Sequence, residues 1–347
     1  MDIFLSLSPE HPPHISPTEA IKGHVRQARL AREAGFAGVT VGQHLTLSGV
    51  QWFPPIPLLS RLVPECEGMT LGTGVLILPF FHPVMAAEAM AFLDAATGGR
   101  TLFGVAAGWS QPEFEALGVP LDRRGDRTVE SISLIRRLWT ESGVSHDGDF
   151  YKVDDLTLAL RPVQRPQPPL WAGASTRSGA ARLAPHVDGL MHSAHLPVTR
   201  LLEVQRAFQE ARPGGSTKPA SVGALRNVFV APSNEEAWST ALPFVRASYE
   251  RFTGAGLIRD VVGRGPSALS TVDETVQEVL VVGDPEVVTE SLLGLQRRLG
   301  LKALFVRMQW HGMPSQLVER SIALFAEEVL PRLAGAGVAS NPDGVGR

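Results

Sequence analysis

Leu71-Gly-Thr-Gly-Val-Leu-Ile-Leu-Pro79, followed by His82-Pro83, an Ala-rich helical segment closing at Gly99-Arg100, and Thr101-Leu-Phe-Gly-Val-Ala-Ala-Gly108, is the stretch whose reading decides the fold. Two apolar runs joined by a helical pattern read as a right-handed parallel βαβ unit. Both runs end in small residues and then turn bulky or polar, with Trp109 and Glu113-Phe-Glu-Ala-Leu-Gly118 after the second. Small residues at strand ends let a ligand rest against backbone.

The same rhythm extends outward in both directions. Strand-like runs fall near 2–7, 38–43, 70–77, 101–107, 169–173, 187–191, 223–231 and 303–309. Helical patterns fall near 17–34, 54–66, 83–96, 127–141, 176–184, 197–211, 234–252, 285–299 and 314–331. Alternation of this kind predicts an α/β fold, a (β/α)8 TIM barrel over residues 1–332 as one domain. An open dinucleotide-binding sheet is disfavoured, because Ser8-Pro-Glu-His-Pro-Pro-His14 stands where a Gly-x-Gly-x-x-Gly turn would follow the first strand. Two insertions interrupt the rhythm. Residues 143–168 predict an inserted hairpin with a Pro-rich return, and 253–278 a long lid-like loop. The Gly- and Ala-rich end, 333–347, reads as a flexible tail.

Bulk properties exclude several classes. The net charge is −3 without a basic block, which argues against nucleic acid. One cysteine, Cys66, leaves no intrachain disulfide and no multi-Cys metal site. That fits a reducing, cytoplasmic setting. The N-terminus reads as a strand rather than a signal peptide, and no apolar run approaches the roughly 20 residues that span a bilayer.

Barrel active sites lie at strand C-termini. This rule nominates Ser6, Ser8, Gln43, His44, the 78–82 and 106–109 segments, 173–176, His192 and 309–311. His44 follows Val39-Thr-Val-Gly-Gln43 and is suited to hold or donate a proton near neutral pH; packing on Trp52 or Phe53 is the equally weighted plain alternative. Gly173-Ala-Ser-Thr-Arg-Ser-Gly179 follows a strand and opens a helix. Its free N–H groups and hydroxyls suit a phosphate, while Ser175 or Thr176 also suits a plain N-cap. His192 and His195 lack a third partner for a metal, and no metal site is expected.

The order of short motifs resembles the bacterial luciferase-like family of flavin-dependent oxidoreductases. The motifs are Gly42-Gln-His-Leu45, Leu71-Gly-Thr-Gly-Val75, Phe103-Gly-Val-Ala-Ala-Gly-Trp109, Arg124-Gly-Asp-Arg-Thr128, Pro168-Pro-Leu-Trp-Ala-Gly173 and Val282-Gly-Asp-Pro285. The resemblance implies a barrel with insertions that binds reduced FMN, or the deazaflavin coenzyme F-420, at the strand ends. It implies His44 as the catalytic proton handler. Ser6, Gly74, Val75, Leu76, Ala106, Gly108, Gly173, Ala174, Ser175 and Thr176 would hold the cofactor. Leu78, Trp109, Trp310 and His311 would shape the substrate pocket. It also implies a cis peptide between Gly74 and Val75 behind the flavin ring. Where the family often has Glu-His-His, this chain has Gln43-His44-Leu45, and Gln43 cannot act as a base. The arginine that some relatives aim at the phosphate is Ala107 here. The implied activity is a monooxygenase that takes dioxygen (O2), reduced FMN from a separate flavin reductase, and a small hydrophobic substrate, working as a homodimer or higher homo-oligomer. An F-420-dependent hydride transferase is the first alternative and a non-catalytic flavin-binding subunit the second.

Overall fold

The computed structural model describes residues 1–45, 49–213, 220–254 and 279–335. Most of the expected lid-like loop and nearly all of the expected tail lie outside the described residues. Eight parallel strands close a barrel: β1 (Asp2–Leu7), β2 (Gly38–Val41), β3 (Thr70–Ile77), β4 (Thr101–Ala106), β5 (Leu170–Ala174), β6 (Gly189–His192), β7 (Ser221–Val230) and β8 (Ala303–Arg307). Neighbours in this series pair in parallel, and β1 closes the ring against β8 with Asp2 opposite Ala303. Helices α1 (Pro17–Glu33), α2 (Pro55–Leu62), α3 (Pro83–Ala96), α4 (Arg124–Thr140), α5 (Arg177–Leu183), α6 (Val198–Glu210), α7 (Asn234–Gly254), α8 (Pro285–Leu299) and α9 (Ser315–Leu324) accompany them. The large apolar core lies between this helical ring and the strands.

A second, smaller core fills the barrel. Phe4, Leu102, Trp171, Met191, Ala303 and Phe305 pack inside it, with the Trp171 and Phe305 rings edge to face at 6.2 Å. Trp171 is therefore interior packing. Gly38 makes room for this plug: a Cβ there would meet the Phe4 ring at 2.5 Å and the Thr70 carbonyl oxygen at 2.2 Å.

Helix ends follow local chemistry. α8 starts at Asp284, whose carboxylate accepts from the Val287 N–H at 3.0 Å, with Pro285 in the first turn. It stops at Gly300, in the left-handed region at φ 62°.

Three elements differ from the sequence expectation. A ninth strand, Leu280–Gly283, was not anticipated; it pairs with the end of β7 from Asn227, the last residue of β7 paired to β8, through Val230. Four residues carry too little periodicity to separate a strand from a helix approach. Glu10–His11 and Gln51–Trp52, both read as loop, form a short antiparallel ribbon at the barrel mouth. The last helical pattern is interrupted by a π turn at Phe325–Val329.

The inserted hairpin is present, Val144–Asp147 against Lys152–Leu156. Glu130 on α4 holds its tip by accepting from the Phe150 and Tyr151 N–H groups. The Pro-rich return is tied down by Asp94 on α3, which is fully buried. Its carboxylate accepts from Thr101 Oγ1 (2.6 Å), Gln164 Nε2 (2.6 Å), and the N–H groups of Val163 (2.5 Å) and Gln164 (2.9 Å). Asp94→Ala strands several of these donors in the core. It is expected to cost roughly 3 to 5 kcal/mol in urea unfolding, and a loss below about 1 kcal/mol would show that the return is held otherwise.

Candidate active site

A cleft of about 210 Å³ opens at the C-terminal ends of the strands. Its floor is built from small residues on consecutive strand ends: Gly42, Gly74, Ala106 and Gly173. The peptide between Gly74 and Val75 is cis, and the pairing of β3 with β4 slips between Thr73 and Leu76. This slip turns Val75 toward the cleft. Leu76 and Leu78, nominated for the cofactor and substrate, are instead fully buried in the large core, as alternation along a strand requires of residues beside those facing the mouth.

His44 sits on one wall. Its ring packs on Trp52 (centroids 4.8 Å apart) and meets Trp109 edge to face at 5.7 Å. Aromatic packing and chemistry are thus not alternatives here. His44 Nδ1 lies 3.0 Å from Oε1 of Glu113, a carboxylate with no exposed surface. The same oxygen accepts the Leu45 N–H at 2.7 Å. A carboxylate at Nδ1 fixes the proton there and leaves Nε2 for the cleft. Glu113, carried by the short helix Gln111–Ala116, was not nominated from sequence. Its motif was visible, yet nothing local reveals a partner 69 residues away. Gln43 does not reach a proton path; its Oε1 accepts the Ile77 N–H at 2.8 Å and joins the ends of β2 and β3.

The cleft has two lobes sharing His44, Val75, Ala106, Trp109 and Ser175. The outer lobe reaches Gly108, Thr176, Arg124 and Arg182. Thr176 is the N-cap of α5, accepting the Gly179 N–H at 3.1 Å, so the plain cap reading holds. Arg124 donates to the Gly108 carbonyl at 3.0 Å, and Arg182 lies 3.4 Å from Asp126. Both arginines were missed as site residues, although Arg124 opens a motif quoted from the sequence.

The inner lobe is lined by Ser6, His192, His195 and Arg307 among others. Gln205 donates from Nε2 to the Leu299 carbonyl at 3.1 Å, so its oxygen faces His192 Nε2 at 3.3 Å. His192 therefore carries its proton on Nε2. Its Nδ1 is a buried lone pair without a partner. Burial pushes its pKa down to about 4, with Arg226 adding to the effect against the Gln205 hydrogen bond. Burial, then Arg307, Arg226 and His44, push His195 down to about 3. Both rings are neutral at pH 7 and act as hydrogen-bonding groups rather than cations.

Trp109, Ser6, Val75, Gly74, Ala106, Gly108 and 173–176 are thus brought together around His44. Trp310 and His311 are not: they line a separate side cavity that touches the inner lobe through His195 and Arg307.

The luciferase-like monooxygenase family model matches residues 1–302. An FMNH2-dependent dimethylsulfone monooxygenase of Pseudomonas putida is 28% identical over 291 residues, covering 80% of this chain and 77% of the relative. The crystal structure of a monooxygenase from Streptomyces bottropensis superposes with a TM-score of 0.82 at 24% identity, covering 96% of this chain and 100% of the other. An F-420-dependent secondary alcohol dehydrogenase superposes with a TM-score of 0.75 at 20% identity, covering 96% and 98%. The two superpositions establish the shared fold.

Proposed function

The chain belongs to the luciferase-like monooxygenase family, and from that premise we propose that it is the oxygenase of a two-component system, using reduced FMN and dioxygen to oxygenate a small organic substrate. The supporting observation is the floor of the cleft. A planar ring needs a flat, small-residue surface, and a Cβ on Gly173 would stand 3.1 Å from the Val75 side chain, filling that space. Flavin supplies the reaction with dioxygen once bound. The remaining work falls to the chain itself.

Gly74, Val75, Ala106 and Ala174, which line the cleft, would hold the ring. In the outer lobe Ser175, Thr176 and the N–H groups at Gly173–Thr176 would hold the phosphate. Arg124 and Arg182 provide the positive charge that Ala107 does not. Trp109 and Trp52 keep water from His44. His44 moves a proton at Nε2 while Glu113 balances the charge at Nδ1.

Changing Ser175 and Thr176 together to Ala is expected to weaken FMN binding by roughly 1 to 3 kcal/mol in fluorescence titration. Thr176→Ser keeps the cap and separates helix loss from phosphate loss. Unchanged affinity in the double variant would move the phosphate elsewhere. The function itself is tested by titrating FMN and coenzyme F-420 in parallel and following oxygen uptake with reduced FMN. Binding of F-420 alone, without oxygen uptake, would replace the oxygenase reading with hydride transfer.

A further inference from the structure

Beside the inner lobe lies a side cavity of about 10 Å³, room for roughly one oxygen-sized atom, bordered by Asn227 on β7, by Arg307 at the end of β8, and by Trp310. His195 and Arg307 border both spaces, so the cavity adjoins the main cleft at these two side chains.

Two hydrogen-bond donors in this cavity have no partner. Arg307 Nε donates to Asn227 Oδ1 at 2.7 Å, which fixes the amide so that Nδ2 is its free end. Nδ2 is buried and makes no hydrogen bond, and Asn227 is only 1% exposed. The indole Nε1 of Trp310 is likewise buried and unpartnered, in a residue 4% exposed. Nearby, His311 Nδ1 lies 3.0 Å from Glu10 Oε1 without hydrogen-bond geometry, and Gln309 accepts from Gln27 Nε2 at 3.0 Å. Buried donors left unmatched are costly, so two lining one small space call for a shared acceptor.

We propose that this cavity is a recognition subsite for an acceptor oxygen, a carbonyl or carboxylate, on a substrate whose remainder lies in the inner lobe toward His44. The word substrate rests on the oxygenase reading; the subsite itself does not. Asn227 Nδ2 and Trp310 Nε1 would donate to that oxygen, and Arg307 would hold the amide in the donating orientation. An analogue lacking the oxygen would leave both donors unmet and be rejected.

The test compares acetophenone with ethylbenzene, which has nearly the same shape and no acceptor. Affinities for the full-length chain are read by calorimetry, with and without oxidised FMN. The wild type is expected to prefer acetophenone about tenfold. Trp310→Phe, which removes the N–H and keeps an aromatic ring, should cut that preference to about threefold or less. Asn227→Asp, which replaces the donor with an acceptor, should abolish it. FMN affinity should be unchanged in both variants. Benzoate binding tighter than acetophenone assigns the charged form and weaker binding the neutral carbonyl; both keep the acceptor. Equal affinity for acetophenone and ethylbenzene in the wild type overturns the proposal. So does an unaltered preference in Trp310→Phe, which would leave the cavity to water. A chain that binds no FMN but retains the preference refutes the oxygenase reading while keeping the subsite.

Discussion

His44→Ala is expected to slow turnover by about 100- to 10,000-fold while leaving the fold and FMN affinity largely intact. The side chain faces the cleft and makes its polar contact with Glu113, so its removal empties no part of the main core. His44→Gln should fall between, because an amide keeps hydrogen bonding without titrating. Glu113→Gln should also be intermediate: its oxygen still accepts the Nδ1 proton, but the charge that balances an imidazolium is gone. The readout is oxygen uptake with reduced FMN and a reductase, alongside melting temperature. Near-wild-type activity in His44→Ala with an unchanged melting temperature would remove His44 from proton handling and turn attention to other groups of the cleft.

Acid is expected to destabilise the fold well before the carboxylates titrate. Burial pushes His24 down to about 3. Burial likewise pushes His11 and His192 down to about 4, with Glu10 opposing the shift at His11 and the Gln205 hydrogen bond opposing it at His192. The ordinary value in an unfolded chain is about 6.5. Folded-state values lie below it, so the unfolded chain binds more protons in between. The contribution is fully present above about pH 6.5 and is lost progressively as pH falls toward 3 to 4. Between pH 7 and pH 5 these three sites, together with His195, should withdraw roughly 4 to 8 kcal/mol, read as the shift in urea midpoint at each pH. His11 and His24 share a 2.9 Å contact that needs one ring to donate and the other to accept, so a proton taken up by either disrupts the ribbon's anchorage to α1. A midpoint flat from pH 7 to pH 5 would show that these rings are not buried as neutral groups.

The barrel was legible because its information is local and periodic. Runs such as Leu71–Ile77 and Thr101–Ala106 are apolar over a strand's length, and Asp284-Pro285 and Gly300 mark a helix start and stop without any tertiary contact. The place of the active site followed from topology, since strand C-termini converge on one face of a closed parallel barrel. His44, Trp109 and 173–176 were therefore nominated by counting along strands, and they line one cleft.

What the chain does not reveal locally is pairing across distance. Glu113 reads as one acidic residue in a surface-like helix, and only closure of the barrel sets it beside His44. Leu76 and Leu78 were assigned to the mouth because they are near it in sequence, but the slip at Gly74-Val75 and alternation turn them to the core. Trp310 and His311 were read as the end of β8, but that strand stops at Arg307 and both line a side cavity that Glu10 of the short ribbon also borders. The sequence by itself determined the repeating βα units, the strand ends and hence the face that carries chemistry, since these depend on periodicities of two and 3.6 residues. The tertiary structure alone decided which carboxylate partners His44, which nitrogen of His192 is bare and which donors stay unmatched, because side-chain direction and burial are set by residues far apart in the chain.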